Sequence, residues 1–439
     1  LATAAVLFFF ARKLWGEAEG YVAASVFLTM PLTVAFARTV IFDSALTFFV
    51  VVSLVAYWFA IEEGNKRWSI LAWAAMGFAM ITKGPVTFIL VLFVAIPYAW
   101  RRKALRVLFP VLGIVAFAVI IAPWLWGVTQ VVPEFLRYVL VTETAARMAT
   151  NELKRTGPPW YFVPYLIGGA LPWSIVLLAS AKRLRREPAR LYLLLWLVIP
   201  FVFFSISQSK RPQYILPLMA PLALLIAQVW QEARTRAAAI VLAALGALLL
   251  ASPLFLHRAK MEPEVAAVVP VTAMVLGAAF LLGGLVALFA KRRELVFIAL
   301  SLPILVLPTA ADPLLEGISQ RRSAKHMVAE LQPYLQPQTQ IIGVEAFTGS
   351  MAFYLQRPIT VVTADATELT SNYLMRRYEK YTTDPASPLK PLPYFERSLI
   401  STESRIYIVR KKDTRWLTML EARGWRPVAD SAHHVAYAR

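Results

Sequence analysis

Asp43 is the only aspartate in the first 311 residues of this 439-residue chain. It stands in FARTVIFDSALTFF, with Arg38 five residues before it, inside a stretch otherwise apolar enough to lie in lipid. An ionisable group at that depth costs several kcal/mol and is a functional candidate by default. A carboxylate there could orient or deprotonate a nucleophile. It could equally cap the helix that SALTFF begins, by accepting from free backbone N–H groups. Lys83 stands in ITKGPVTF, where Gly84–Pro85 ends one apolar segment and opens the next. A lysine beside a helix N-terminus makes an anion site; the plainer alternative is a lysine snorkelling to the interface. Lys210 and Arg211 precede Pro212 and Tyr214 in SQSKRPQYILP. Tyr214 there is either a binding residue or an interface anchor. In VPEFLRYVLVTETAARM, Glu143 and Arg147 are four apart and share one face of a helix lying along the membrane surface. On a solvated face such a pair is worth only a few tenths of a kcal/mol.

The elements that must position these residues follow from composition. Hydrophobic types make up 59% of the chain and charged types 16%, with a mean hydropathy of +0.59. Soluble domains carry about 25% charged residues, so a polytopic α-helical membrane protein is expected. Twelve apolar segments are read at 1–11, 20–37, 42–61, 68–82, 85–100, 107–126, 161–180, 191–206, 213–230, 237–256, 265–290 and 295–311. Eighteen of the 28 Lys and Arg in residues 1–311 fall in alternate connections, such as Arg101–Arg102–Lys103 and Lys291–Arg292–Arg293. The positive-inside rule makes those connections cytoplasmic. It puts Asp43, Lys83, Lys210 and the loop 127–160 together on the outer side. Net charge is +19, but its placement marks topology, not a nucleic-acid partner. There is no cysteine, hence no disulfide and no thiolate metal site. His257, His326, His433 and His434 form no ligand cluster.

Two regions are expected: a transmembrane domain over 1–311 and an extracytoplasmic α/β domain over 312–439. In the second, strands are read at 340–345, 358–363, 405–410 and 433–438, and helices near 319–335, 348–355 and 413–423. Alternation of this kind predicts a partly parallel sheet.

With these residues in view, the chain resembles the ArnT-like and protein-mannosyltransferase-like glycosyltransferases of the GT-C fold. ARTVIFDSALTFF, ITKGPVTFILVLF, VTETAARM with GPPWYFVPYLIGGALPW, and SKRPQYILPL carry the resemblance, in that order, along essentially the whole chain. The resemblance implies an inverting enzyme of the plasma (inner) membrane. It would move a hexosyl or pentosyl group from a polyprenyl-phosphate carrier to a lipid A-type, protein or glycan acceptor at the outer face. It further implies thirteen spans, so that twelve remain here if a first span and its loop, with an essential acid, precede Leu1. Asp43 would be the family's second acid and the catalytic candidate. Lys83, Arg147, Lys210, Tyr214, Arg38 and Glu143 would hold the carrier phosphate and substrate. Thr144 follows Glu143 where the aminoarabinose transferases have a histidine, so no metal ligand is assigned, although a divalent metal stays open as a cofactor. The competing readings are a transporter or lipid flippase, which would show charges near the midplane and internal repeats, and an assembly subunit.

Overall fold

The computed structural model describes residues 1–137, 157–256 and 263–439. By contacts the chain divides into two compact units, Leu1–Ala259 with Pro270–Ala310, and Lys260–Val269 with Ala311–Arg439.

The first unit is helical because its sequence leaves no alternative: in lipid every backbone polar group must be satisfied within the segment. Helices α1 (Ala2–Trp15) and α2 (Glu17–Leu28) form a hairpin about Gly16, whose φ of 121° suits only glycine. Pro31 opens α3 (Pro31–Ala37) and bends it 64° from α2. Then come α4 (Phe42–Glu63), α5 (Lys66–Lys83), α6 (Val86–Arg101) and α7 (Val111–Val131). Further along the chain, α8 (Phe162–Gly169) and α9 (Trp173–Ser180) belong to a segment bent by 101°. They precede α10 (Pro188–Ile206), a 3-10 segment over Pro212–Leu218, α11 (Met219–Val229), α12 (Arg236–Ala251), α13 (Pro263–Phe289) and α14 (Arg293–Arg322). Among the described residues, seven helices are long and apolar enough to cross a membrane, or nine if each bent pair is one span. The shorter α1, α5 and α6 occupy the remaining expected segments. The amphipathic helix expected within 127–160 falls mostly outside the described residues.

Burial separates centre from periphery. The Pro212–Glu232 span is 89% buried, and Leu105–Val131 only 17%. The first must therefore be walled by other helices, while the second offers most of its surface to lipid. Trp58, Tyr98 and Tyr192 interlock with ring centroids 4.9–5.4 Å apart. The hydroxyls of the two tyrosines are satisfied, as burial demands: Tyr98 donates to Glu62 (2.7 Å) and Tyr192 to the Leu54 carbonyl (2.6 Å). Arg102 closes on Glu62 through two 2.8 Å bonds.

The second unit carries a six-stranded sheet: β1 (Gln340–Val344), β2 (Ile359–Thr363), β3 (Leu389–Pro391), β4 (Arg405–Arg410), β5 (Arg426–Asp430) and β6 (His434–Ala438). The order is β3-β2-β1-β4-β6-β5; the first four are parallel and the last two join antiparallel. The central strands are apolar on both faces because both are covered. Ile341, Ile406 and Ile408 pack with Met327, Leu331 and Met351 on one side. Ile342, Val344, Tyr407 and Val409 pack with Phe395, Trp416 and Leu420 on the other. The helix expected over 319–335 is instead the end of the 30-residue α14 followed by α15 (Lys325–Leu331). Pro308 and Pro313 do not stop α14, so residue 311 is not a helix end.

Candidate active site

Ile41 is the residue in extended conformation that caps α4, which places Asp43 in the first helical turn. Its carboxylate is therefore free of capping duty and reaches across to Lys83, the last residue of α5, with which it forms an ion pair. Each charge sits at the helix end whose dipole favours it, the anion near an N-terminus and the cation at a C-terminus. Gly84, at φ 78°, turns the chain sharply into α6. The Asp43 side chain is 8% exposed and that of Lys83 24%. The lysine is thus the partner that an incoming group can reach. Lys83 Nζ also lies 4.5 Å from the centre of the Tyr214 ring, a cation–π contact. Tyr214 is held in the 3-10 segment against Phe204, 5.5 Å between centroids.

Lys210 is buried, and its ammonium donates to the main-chain carbonyls of Ser205 (2.9 Å) and Ser207. These carbonyls end α10, so Lys210 caps that helix. Burial lowers its pKa from the ordinary lysine value. A Cβ on Gly157 would lie 3.2 Å from Lys210 Cδ and 2.9 Å from Tyr161 Cδ2, so only glycine fits there unless a neighbour moves. Arg38 ends α3 on the surface. With Ser44, Thr47 and Leu216 it borders a cavity of about 470 Å³. Glu143 and Arg147 lie outside the described residues.

Three expected residues are brought together, with Lys83 in contact with both Asp43 and Tyr214. Lys210 stands four residues from Tyr214 but spends two of its three donors on its own helix end. Two features escaped sequence reading: the Tyr214–Lys83 contact, and the buried hydroxyls of Thr87 and Ser209, which have no hydrogen-bond partner. Their signal was faint, a Thr four residues after Lys83 and a Ser just before Lys210. Among the described residues, no group of three or more His, Cys, Asp or Glu could hold a metal ion. A carboxylate held beside a partly accessible cation can orient a nucleophile and neutralise a phosphate leaving group.

Comparison with known proteins bears on sequence family and fold. Residues 1–126 match the family described as dolichyl-phosphate-mannose-protein mannosyltransferase. An undecaprenyl phosphate-alpha-4-amino-4-deoxy-L-arabinose arabinosyl transferase of Pseudomonas fluorescens is 36% identical over 229 residues, 49% of this chain and 41% of that protein. One from Proteus mirabilis is 32% identical over 239 residues, covering 52% and 43%. The chain thus spans less than half the length of these curated relatives. The crystal structure of ArnT from Cupriavidus metallidurans bound to undecaprenyl phosphate superposes with a TM-score of 0.86 at 25% identity, over all of this chain and 82% of that one. Its apo form gives 0.82. In sequence and in fold this chain is ArnT-like.

Proposed function

We propose that this ArnT-like chain transfers a sugar from a polyprenyl-phosphate carrier to a lipid A-type, protein or glycan acceptor at the outer face of the inner membrane. The arabinosyl transferases among its relatives favour a pentose as the sugar and undecaprenyl phosphate as the carrier. The observation that carries the reading is the ion pair of Asp43 with Lys83, backed by Tyr214 at 4.5 Å.

The reaction is a single displacement. The bond from the anomeric carbon to the carrier phosphate breaks as one forms to the acceptor oxygen, with inversion. Charge grows on the departing phosphate, and a preplaced cation in a dry site stabilises it more than water would. Lys83 takes that role, with Arg147 and Lys210 as further candidates; the carbonyls that Lys210 caps hold two of its three donors. Tyr214 keeps the Lys83 ammonium in place while leaving part of it open. Asp43 orients the acceptor and takes its proton if that acceptor is a hydroxyl. An anionic phosphate acceptor has no proton to lose, and Asp43 then serves orientation alone. The charge pattern of the sequence assigns Arg38 and Glu143 to the same side. In this reading the first unit spans the membrane and the sheet-bearing unit lies outside the cytoplasm.

The test is transfer in vesicles holding the full-length protein and radiolabelled polyprenyl-phosphate sugar. Lys83→Ala and Asp43→Asn should each lower transfer by about 100-fold or more with normal insertion. Wild-type rates in both variants would remove the pair from the site.

A further inference from the structure

Helices α1 and α5 both pack on α4, and a groove of about 420 Å³ is left between them. Its floor is Phe10, Val55 and Ala56, all buried, while Phe9 and Leu71 form exposed rims. The charged residues in its wall are Lys13 and Glu63, in the last turns of α1 and α4. From Glu63 back to Val52, the innermost α4 residue of the wall, the helix rises about 16 Å. The hydrocarbon of one leaflet is about 15 Å deep, half of a bilayer core. The groove thus matches a single leaflet in depth, apolar throughout its length and charged at its mouth. Near the mouth Phe59 leans on Trp68, 5.1 Å between ring centroids. Trp68 Nε1 donates to Glu63 Oε2 (2.9 Å), which leaves Oε1 open. Lys13 and Glu63 share this mouth, yet among the described residues no ion pair engages either of them. Beside it in sequence, Glu62 is taken by Arg102. Arg12, Lys66, Arg67, Glu17 and Glu19 also stand nearby in sequence, outside the wall.

A helix with its side chains would fill about 1,250 Å³ over this length, beyond what the groove holds, whereas an acyl chain is thin enough to enter. The mouth offers a cation and an acceptor-only carboxylate side by side. A purely anionic headgroup would set its charge against Glu63, and a quaternary ammonium has no N–H to donate to Oε1. We propose that the groove holds an acyl chain of a phospholipid whose headgroup joins a phosphate to a primary ammonium. Lys13 takes the phosphate and Glu63 the ammonium. By the charge pattern of the connections this lipid belongs to the cytoplasmic leaflet, and its site is separate from the Asp43–Lys83 pair.

The experiment titrates delipidated full-length protein with phosphatidylethanolamine, phosphatidylcholine and phosphatidylglycerol of equal chain length, with bound lipid counted by native mass spectrometry. Phosphatidylethanolamine should bind about 5-fold more tightly than either of the others, the scale of one exposed ion pair. Glu63→Gln should bring its affinity down to that of phosphatidylcholine and leave phosphatidylcholine unchanged. Lys13→Ala should weaken both by a similar factor. Shortening the acyl chains should weaken binding by roughly four-fold for each buried methylene removed. Equal wild-type affinities for phosphatidylethanolamine and phosphatidylcholine overturn the proposal. So does a preference for phosphatidylglycerol or for polyprenyl phosphate. Loss of phosphatidylcholine binding in Glu63→Gln overturns it as well, since that marks a structural acid. Indifference to chain length would remove the groove from the site.

Discussion

At the scale of single residues, the lesson is that a charge in an apolar segment is informative only once its partner is known. Asp43 read equally well as a cap and as a functional acid. Ile41 takes the cap position, which leaves the carboxylate to Lys83. Lys210 went the other way: an outer-face cation in sequence, it is committed to two carbonyls in the fold. His434 gives a residue-scale prediction in the other unit. Burial, reinforced by Arg410 and His433 and opposed by Asp413, holds its pKa down to about 4. The ordinary value is about 6.5. The folded state therefore refuses a proton that the unfolded state accepts, so stability is full above pH 6.5 and falls as pH drops toward 4. The loss should reach at most about 3 kcal/mol. Hydrogen exchange of β4 and β6 amides in the full chain should quicken over that range, and His434→Gln should flatten the dependence. A pH-independent wild type would refute it.

At the scale of elements, close helix packing was hidden in ordinary-looking glycines. A Cβ on Gly246 of α12 would overlap the backbone of Leu281 on α13, and one on Gly277 would come within 2.8 Å of the Leu250 nitrogen. Gly284 meets Ala243 in the same way. Small residues let helix backbones touch in lipid, where no hydrophobic force draws them together. Gly246→Leu should therefore force α12 and α13 apart at a cost of about 3 kcal/mol, read as a lower Tm in detergent. Gly127→Leu, at a position with open space around its Cβ, is the control. Equal Tm values in the two variants would mean that the contact is dispensable. Strand β4 matches its expected bounds, and β1, β2 and β6 fall within one residue of theirs. Runs rich in β-branched and aromatic residues, unbroken in β2 and in the interior of β4, account for that. Strands β3 and β5 went unread: one is three residues long, the other contains Pro427 and a register shift beside it. Both hold their place through neighbours, not through their own pattern.

At the scale of the whole molecule, the prediction concerns sidedness. Charge asymmetry among the connections assigns the turns carrying Asp43, Lys83 and Lys210 to the outer face. The same alternation assigns residues after 320 to that side. A reporter fused there in the full-length protein should be accessible only from outside the cytoplasm. A cytoplasmic signal would invert the orientation and remove an outer-face reaction with it.

Composition and charge placement alone determined that this is a polytopic helical membrane chain with a sheet-bearing C-terminal region. They do so because lipid admits apolar helices and penalises every unpaired polar group. They also pointed to Asp43, Lys83 and Tyr214, since charge and aromatics at segment ends are rare enough to notice. Which of them touch was decided only by tertiary structure. Asp43 and Lys83 are 40 residues apart, Tyr214 lies 131 residues beyond Lys83, and no local pattern records which helix ends meet. The same holds for the buried hydroxyls of Thr87 and Ser209. A hydroxyl in a helix reads as neutral until the fold shows which neighbours have taken their bonds and which one has none.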